Sequence, residues 1–123
     1  MKPLLEILIF LTALALSTPA ASQGLNPTME FVWLCEGREP IPEAPSVGIA
    51  ICAGYINGFI DSHVLSGRFA PNAAVFCPPK QGIAGDQARR VFLDWANRHP
   101  DELHETLRVS LWLSLVGAFP CGR

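Results

Sequence analysis

The sequence predicts an all-α protein: a small, disulfide-stapled bundle of about four helices. Apolar residues recur at spacings of three and four in several separate runs, which is the pattern of helices with one buried face. Proline and glycine interrupt the chain between these runs. Four cysteines are distributed among them. The helices are expected over residues 27–35, 47–67, 86–98 and 100–118.

The first residues carry the features of a secretory signal peptide. A short positive start is followed by a mostly apolar run, Leu4 to Leu16, and by small residues up to Ser22. The run is shorter than the roughly 20 residues that a membrane span needs, and it contains Glu6. We therefore predict that residues 1–22 are a signal peptide that is cleaved on export. Residues 23–123 then form a single domain that no membrane segment anchors.

The first two predicted helices each begin with a capping signal. Asn26-Pro27 is a cap followed by proline at the first helical position, and Ser46 caps the second helix. The second helix ends near Gly67. Gly54 and Gly58 lie one turn apart on it, a spacing that suits close approach by another helix or a bulky side chain. The loop that follows is expected to be pinned to the core by three apolar residues, Phe69, Val75 and Phe76.

The last two helices form a hairpin whose corner is Arg98–His104. Pro100 ends the helix 86–98, because the residue before a proline avoids the α region. The same proline begins the helix 100–118, with two carboxylates in its first turn, where the helix dipole favours negative charge. Trp95 belongs to the apolar stripe of the first arm and is expected in the core. The polar residues of that arm, Arg89 among them, are expected to face water.

The cysteine pairing follows from this layout. An exported small domain with four cysteines is typically held by disulfides, and three connectivities can be written. Cys35 ends the first helix and Cys52 lies early in the second, so antiparallel packing brings them together. Cys77 precedes the hairpin and Cys121 follows it, and two antiparallel arms return the chain to its starting end. We therefore favour Cys35–Cys52 and Cys77–Cys121.

The composition and motifs argue against catalysis and against several partner classes. The formal net charge is -2, whereas nucleic-acid-binding domains usually carry net positive charge, so the charge argues against nucleic acid as a partner. The cysteines and histidines lack the spacing of a zinc site, so neither a metal nor another cofactor is expected. Asp61, Ser62 and His63 are adjacent, but neighbouring helix residues point in different directions and do not form a triad. The sequence therefore predicts no enzyme activity.

Four motifs, in order, resemble the Tai/Rap family of immunity proteins. Cys52-Ala53-Gly54-Tyr55-Ile56-Asn57-Gly58 is similar to the C-x-G-Y-I-x-G helix of that family. The others are Phe76-Cys77-Pro78-Pro79 followed by Gln87 and Val91, then His99-Pro100-Asp101-Glu102-Leu103-His104, and finally Ala118-Phe119-Pro120-Cys121. Two features depart from the family pattern. Ala84 stands where Thr or Ser often caps a helix, and the acidic loop 36–45 has no counterpart.

The resemblance implies a periplasmic immunity protein, often a homodimer, that binds and occludes a peptidoglycan amidase delivered by type VI secretion. The hairpin corner is the expected contact with the amidase, through Arg98, Glu102, His104 and Glu105. A structural alternative is that His99 and His104 only cap helices there. Trp112 and Val116 are the expected dimer contacts. The alternative function is a periplasmic helical binding or chaperone-like module without a toxin partner, similar in size and disulfide content to acid-stress chaperones.

Overall fold

A computed structural model describes residues 28–38, 42–84 and 86–122 of the chain. Within these residues it has four α-helices and no strand, which confirms the predicted fold class. The helices are α1 (Thr28–Cys35), α2 (Pro45–Phe69), α3 (Gln87–Arg98) and α4 (Leu107–Ala118), with 3-10 helices at Pro71–Ala73 and Pro100–Glu102. The predicted signal peptide and the predicted Asn26-Pro27 cap lie outside the described residues.

The core lies where α1 meets the other helices. The Phe31 ring of α1 meets Tyr55 of α2 at 5.3 Å and Phe92 of α3 at 5.5 Å, both edge to face. From α4, the apolar stripe predicted by helical spacing supplies three fully buried leucines. Trp95 is buried, as predicted. The buried apolar residues are Phe31, Val32, Leu34, Cys35, Cys52, Ile56, Ile60, Phe76, Ala88, Phe92, Trp95, Ala96, Leu107, Leu111 and Leu115.

Both disulfides join the pairs favoured from the layout. Cys35–Cys52 ties the end of α1 to α2, with a Cα–Cα distance of 5.1 Å. Cys77–Cys121 ties the segment before α3 to the segment after α4, with a Cα–Cα distance of 4.8 Å. A backbone hydrogen bond of 2.8 Å from the Cys77 N–H to the Phe119 carbonyl closes the same end. The α3–α4 hairpin is therefore fastened at its open end, opposite the corner.

The bounds of α2 differ from the prediction at both ends. It begins at Pro45, with Ala44 as the N-cap and Ser46 already inside the helix, because proline suits the first helical position. It continues past Gly67 to Phe69, since Gly67 does not take the positive φ of a terminating glycine. By length and mean hydropathy alone, α2 is long and apolar enough to cross a bilayer. Its inward residues, however, pack in the bundle core.

The glycines of α2 have different surroundings from those expected. The prediction of close approach at Gly54 and Gly58 is wrong within the described part of the chain, where nothing lies within 4 Å of a Cβ built at either position. The close approach occurs at Gly48 instead. A Cβ there would lie 3.1 Å from the carbonyl oxygen of Leu34 and 3.3 Å from its side chain. Gly48 thus lets α1 pack directly against α2.

The predicted helix 100–118 is wrong over its first residues. Pro100 begins a single 3-10 turn, and Thr106 is extended, with φ -65° and ψ 143°. The reason is tertiary: the Glu105 carbonyl accepts a hydrogen bond from the Thr28 side chain of α1. In a continuous helix that carbonyl would point along the helix axis to its own chain.

Arg89 and the loop before α3 also differ from the prediction. Arg89 does not simply face water: its guanidinium donates 2.8 Å to the Cys35 carbonyl and bonds the Asp86 carboxylate. The hydrogen bond from Arg89 to the Asp86 carboxylate lowers the pKa of Asp86 below its ordinary value, and the charges of Arg89 and Arg90 lower it further. Of the three apolar residues expected to pin the loop, only Phe76 is buried, and Phe69 is 83% exposed.

Candidate functional site

The corner between α3 and α4 is rigidified by a stacked histidine. The His99 backbone N–H bonds the carbonyls of Trp95 and Ala96 at the end of α3. Its ring Nδ1–H donates to the Trp95 carbonyl at 2.8 Å, and the imidazole lies parallel to the indole at 4.8 Å between centroids. His99 therefore caps α3, as the structural interpretation expects, and its ring is committed to the fold.

A buried hydroxyl pair ties the corner to α1. Thr28 is fully buried, and its hydroxyl donates to the Glu105 carbonyl at 2.8 Å. Because that uses its single proton, the Ser110 hydroxyl donates to Thr28 Oγ1, at an oxygen–oxygen distance of 2.7 Å. The position of Glu105 on the surface is thus set by α1. Sequence reasoning missed Thr28 and Ser110, whose only signal was a hydroxyl among apolar neighbours.

The four predicted contact residues lie on two sides of the corner. Arg98 and Glu102 border one groove, of about 380 Å³, between α3 and α4. His104 borders a second groove, of about 370 Å³, with Met29, Trp33 and Pro100. Glu105 is half-buried between the two arms of the corner, and its carboxylate lies 3.6 Å from the His104 ring. The corner therefore presents a ridge with a groove on each flank.

The corner and the residues on either side of it carry a net negative charge. The segment 94–105 carries four carboxylates, those of Asp94, Asp101, Glu102 and Glu105, against one cation, Arg98, which leaves three net negative charges. Arg98 also forms an ion pair with Asp94 along the helix, and both side chains are about two-thirds exposed. Negative charge of this kind is complementary to positive charge on a binding partner.

Comparison with protein-family models assigns most of the chain to one family. The model of the family described as Rap1a immunity proteins matches residues 28–121. The chain belongs to the Rap1a immunity protein family. No significant match is found among curated proteins or among solved structures. The match runs from the buried Thr28 through the corner to Cys121, so it includes all four helices and both disulfides.

Membership in the Rap1a family makes this chain an immunity protein directed against a secreted effector. Proteins of this family are generally non-enzymatic. Among the described residues, no group of three or more His, Cys, Asp or Glu side chains is arranged to hold a metal ion.

The residues predicted to form a dimer contact lie on the outer side of α4. Trp112 is 40% exposed, and Val109 one turn earlier is 41% exposed. Val116 is half-buried and packs against the core instead of projecting freely. Arg108, which is exposed, lies beside this patch on the same helix.

A third cleft of this Rap1a-family chain lies away from the corner. It holds about 690 Å³ at the open end of the hairpin, between α2 and the loop around Pro78 and Pro79. His63 closes its floor: the ring stacks on Phe76 at 3.9 Å and bonds the Phe76 carbonyl at 3.1 Å. Because that histidine is held by a carbonyl and an aromatic ring, its role in the cleft is structural.

Proposed function

We propose that this protein is a periplasmic immunity protein that binds a type VI secretion peptidoglycan amidase and occludes its active-site opening with the acidic corner. The observation that carries the proposal is the match to the Rap1a immunity family over residues 28–121. Residues 1–22 act as a cleaved signal peptide, which places the protein where such an amidase is delivered. Because proteins of the resembled family are often homodimers, we expect this chain to form a homodimer. Each chain then binds one amidase molecule.

The acidic ridge supports occlusion by the corner. An amidase that cleaves peptidoglycan must open its active site to a long polymer, so a blocker has to project into that opening. The corner is the tip of a hairpin that Cys77–Cys121 fastens at its far end and that Thr28 braces from the side. A rigid tip loses little conformational entropy on binding, which favours tight occlusion.

Protection and binding are measured separately. Co-expression with each amidase encoded nearby, directed to the periplasm, tests protection. If the cells die as fast as those without the immunity protein, for every amidase encoded nearby, the proposal is wrong. Binding is measured with the purified pair by interferometry at two salt concentrations.

Glu102→Lys is the variant that addresses the corner. We expect its dissociation constant to rise about tenfold or more, mainly through slower association, with a weaker dependence on salt. The matched control is Glu43→Lys, an exposed carboxylate two residues before α2, near the end of the bundle where Arg89 and Cys35 meet. Equal affinities for Glu102→Lys and wild type, with both folded by circular dichroism, would remove the corner from the contact.

A further inference from the structure

The cleft between α2 and the loop around Pro78 and Pro79 has no part in the proposed function. Its volume of about 690 Å³ is within the range of sites that bind small molecules. One wall is the part of α2 from Asn57 to Gly67, and the other is the loop from Ala74 to Ile83. The α2 wall covers ten helical steps, so the cleft is about 15 Å long.

The walls of this cleft are held in place without a ligand. The Cys77–Cys121 disulfide fixes the loop, and the Cys77 N–H also donates to the Phe119 carbonyl at 2.8 Å. The His63 ring of α2 stacks on Phe76 of the loop, which joins the two walls to each other. A cleft that is already formed loses little conformational entropy when it binds a ligand.

The lining of the cleft is mainly apolar. Ile60 and Phe76 are buried residues of the core that also line the cleft. Val64 is 43% exposed, although it is a large apolar residue, and Pro78 and Ile83 are half-buried. An apolar side chain of a ligand would remove these surfaces from water, which favours binding.

Two opposite charges border the same cleft. Asp61 belongs to α2 and Lys80 to the loop, and both are exposed. The ion pairs formed among the described residues include neither of them. A ligand that carries one cationic and one anionic group would complement both side chains.

The loop also presents free backbone acceptors. The carbonyls of Cys77 and Pro78 accept no backbone N–H from the part of the chain that the structure describes. Pro78 and Pro79 have fixed φ angles and favour an extended conformation in the residue before each of them. Free carbonyls along an extended segment are the groups that pair with the N–H groups of an extended peptide.

We propose that this cleft binds a short peptide with free termini, of at most about four residues at the spacing of an extended chain. Its ammonium group contacts Asp61, its carboxylate contacts Lys80, and an apolar side chain packs against Val64 and Ile83. Its N–H groups donate to the free carbonyls of the loop. The inference does not rest on the effector. Peptide binding is measured without an effector, so its failure and the failure of the proposed function are distinguishable.

The first test is an NMR titration of the purified protein labelled with 15N. The probes are three tripeptides with free termini and a central Leu, Phe or Val. At least one should shift the amide signals of Val64 and Ile83 in a saturable way, with a dissociation constant of about 1 mM or tighter. No saturable shift with any probe up to about 10 mM overturns the proposal, as do shifts confined to the corner.

The second test assigns the two termini of the peptide. Acetylation removes the ammonium group and amidation removes the carboxylate, and each should weaken binding to the wild type about tenfold. Acetylation should cost nothing further in Asp61→Asn, and amidation nothing further in Lys80→Met, because the partner group is already gone. Arg68→Met, an exposed position of α2 outside the cleft, is the control and should keep both losses. A full loss on acetylation in Asp61→Asn, or on amidation in Lys80→Met, overturns the assignment of that charge.

The third test fills the cleft. Gly67 lines the cleft, and nothing lies within 4 Å of a Cβ built on it. Gly67→Leu should therefore fold with a melting temperature equal to or above that of wild type and weaken peptide binding at least about tenfold. The control is Gly58→Leu, the same change at an open glycine of α2 that does not line the cleft. Unchanged affinity in Gly67→Leu, or an equal loss in Gly58→Leu, contradicts the proposal.

Discussion

Replacing Thr28 with valine tests how the corner is held. Thr28 is fully buried and connects α1 to the corner through its hydroxyl alone. Valine has nearly the same shape, so Thr28→Val removes the hydrogen bonds and leaves the packing in place. The change lies on α1, outside the acidic ridge, and it reaches the predicted effector contact through the backbone carbonyl of Glu105.

The cost follows from the two groups that lose a partner. The Glu105 carbonyl loses its 2.8 Å donor, and Ser110 loses its 2.7 Å acceptor. Leaving a buried polar group unsatisfied costs about 1–3 kcal/mol. Ser110 can turn its proton to the carbonyl one turn earlier in the helix, which recovers part of its share. We expect a net loss of about 2 kcal/mol, or a fall in melting temperature of about 8–16 °C for a domain of this size.

Urea unfolding followed by circular dichroism measures the difference, provided the slope of the transition is unchanged. Thr28→Ser is the control, since it keeps the hydroxyl and should retain both hydrogen bonds. Ser110→Ala and the double variant complete a mutant cycle, with a coupling energy of about 1 kcal/mol. A Thr28→Val protein within about 0.5 kcal/mol of wild type would refute this account of the corner.

Three further predictions concern the scaffold. Gly48→Ala should destabilise the protein by about 1 kcal/mol, because the new Cβ meets a backbone carbonyl at 3.1 Å, while Gly67→Ala, with open space around it, should stabilise by about 0.5 kcal/mol in the same urea assay. A dithiol reductant should open Cys77–Cys121 before the other disulfide, because Cys77 is exposed and the other pair is fully buried; alkylation and mass spectrometry report the order. The stability difference between wild type and Asp86→Asn should be full at neutral pH, begin to fall near the unfolded carboxyl pKa of 3.8, and be lost as the pH passes through the lower pKa of the folded state.

Each of these has a contrary result. Equal effects of the two glycine variants would mean that α1 moves away from α2 at no cost. Simultaneous reduction of both disulfides would mean that the fold opens globally before either sulfur is reached. A stability difference that stays constant between neutral pH and pH about 3 would mean that the Arg89 hydrogen bond to Asp86 contributes nothing to folding.

The elements of the fold could be predicted from the sequence because their signals are local. Helical spacing predicted that four helices exist, although the last begins at Leu107 instead of Pro100, and it identified Trp95 as buried. The cysteine pairing needed only the order of the helices and their antiparallel return. In contrast, α2 overran its predicted end because a glycine ends a helix only when its φ is positive, and neighbours decide that. The corner began as a predicted helix and became a 3-10 turn through a hydrogen bond to Thr28, a residue 77 positions away.

The candidate site divides in the same way. That a polar corner lies at the tip of the hairpin follows from Pro100 and its flanking charges. Only the tertiary structure shows which of the two grooves each corner residue borders. It also shows that the His99 ring bonds the end of α3 and is therefore not free to contact a partner. The face of α2 is the clearest case. Its apolar residues and glycines are visible in the sequence, but periodicity alone cannot tell the covered side from the open one.

The sequence by itself determined the helices, the disulfides and the acidic corner, because spacing, charge and cysteine order are properties of neighbouring residues. Only the tertiary structure decided what those helices touch. It moved the close contact from Gly54 and Gly58 to Gly48. The physical reason is that packing pairs residues far apart in the chain, and each pair must satisfy its shape and its hydrogen bonds together.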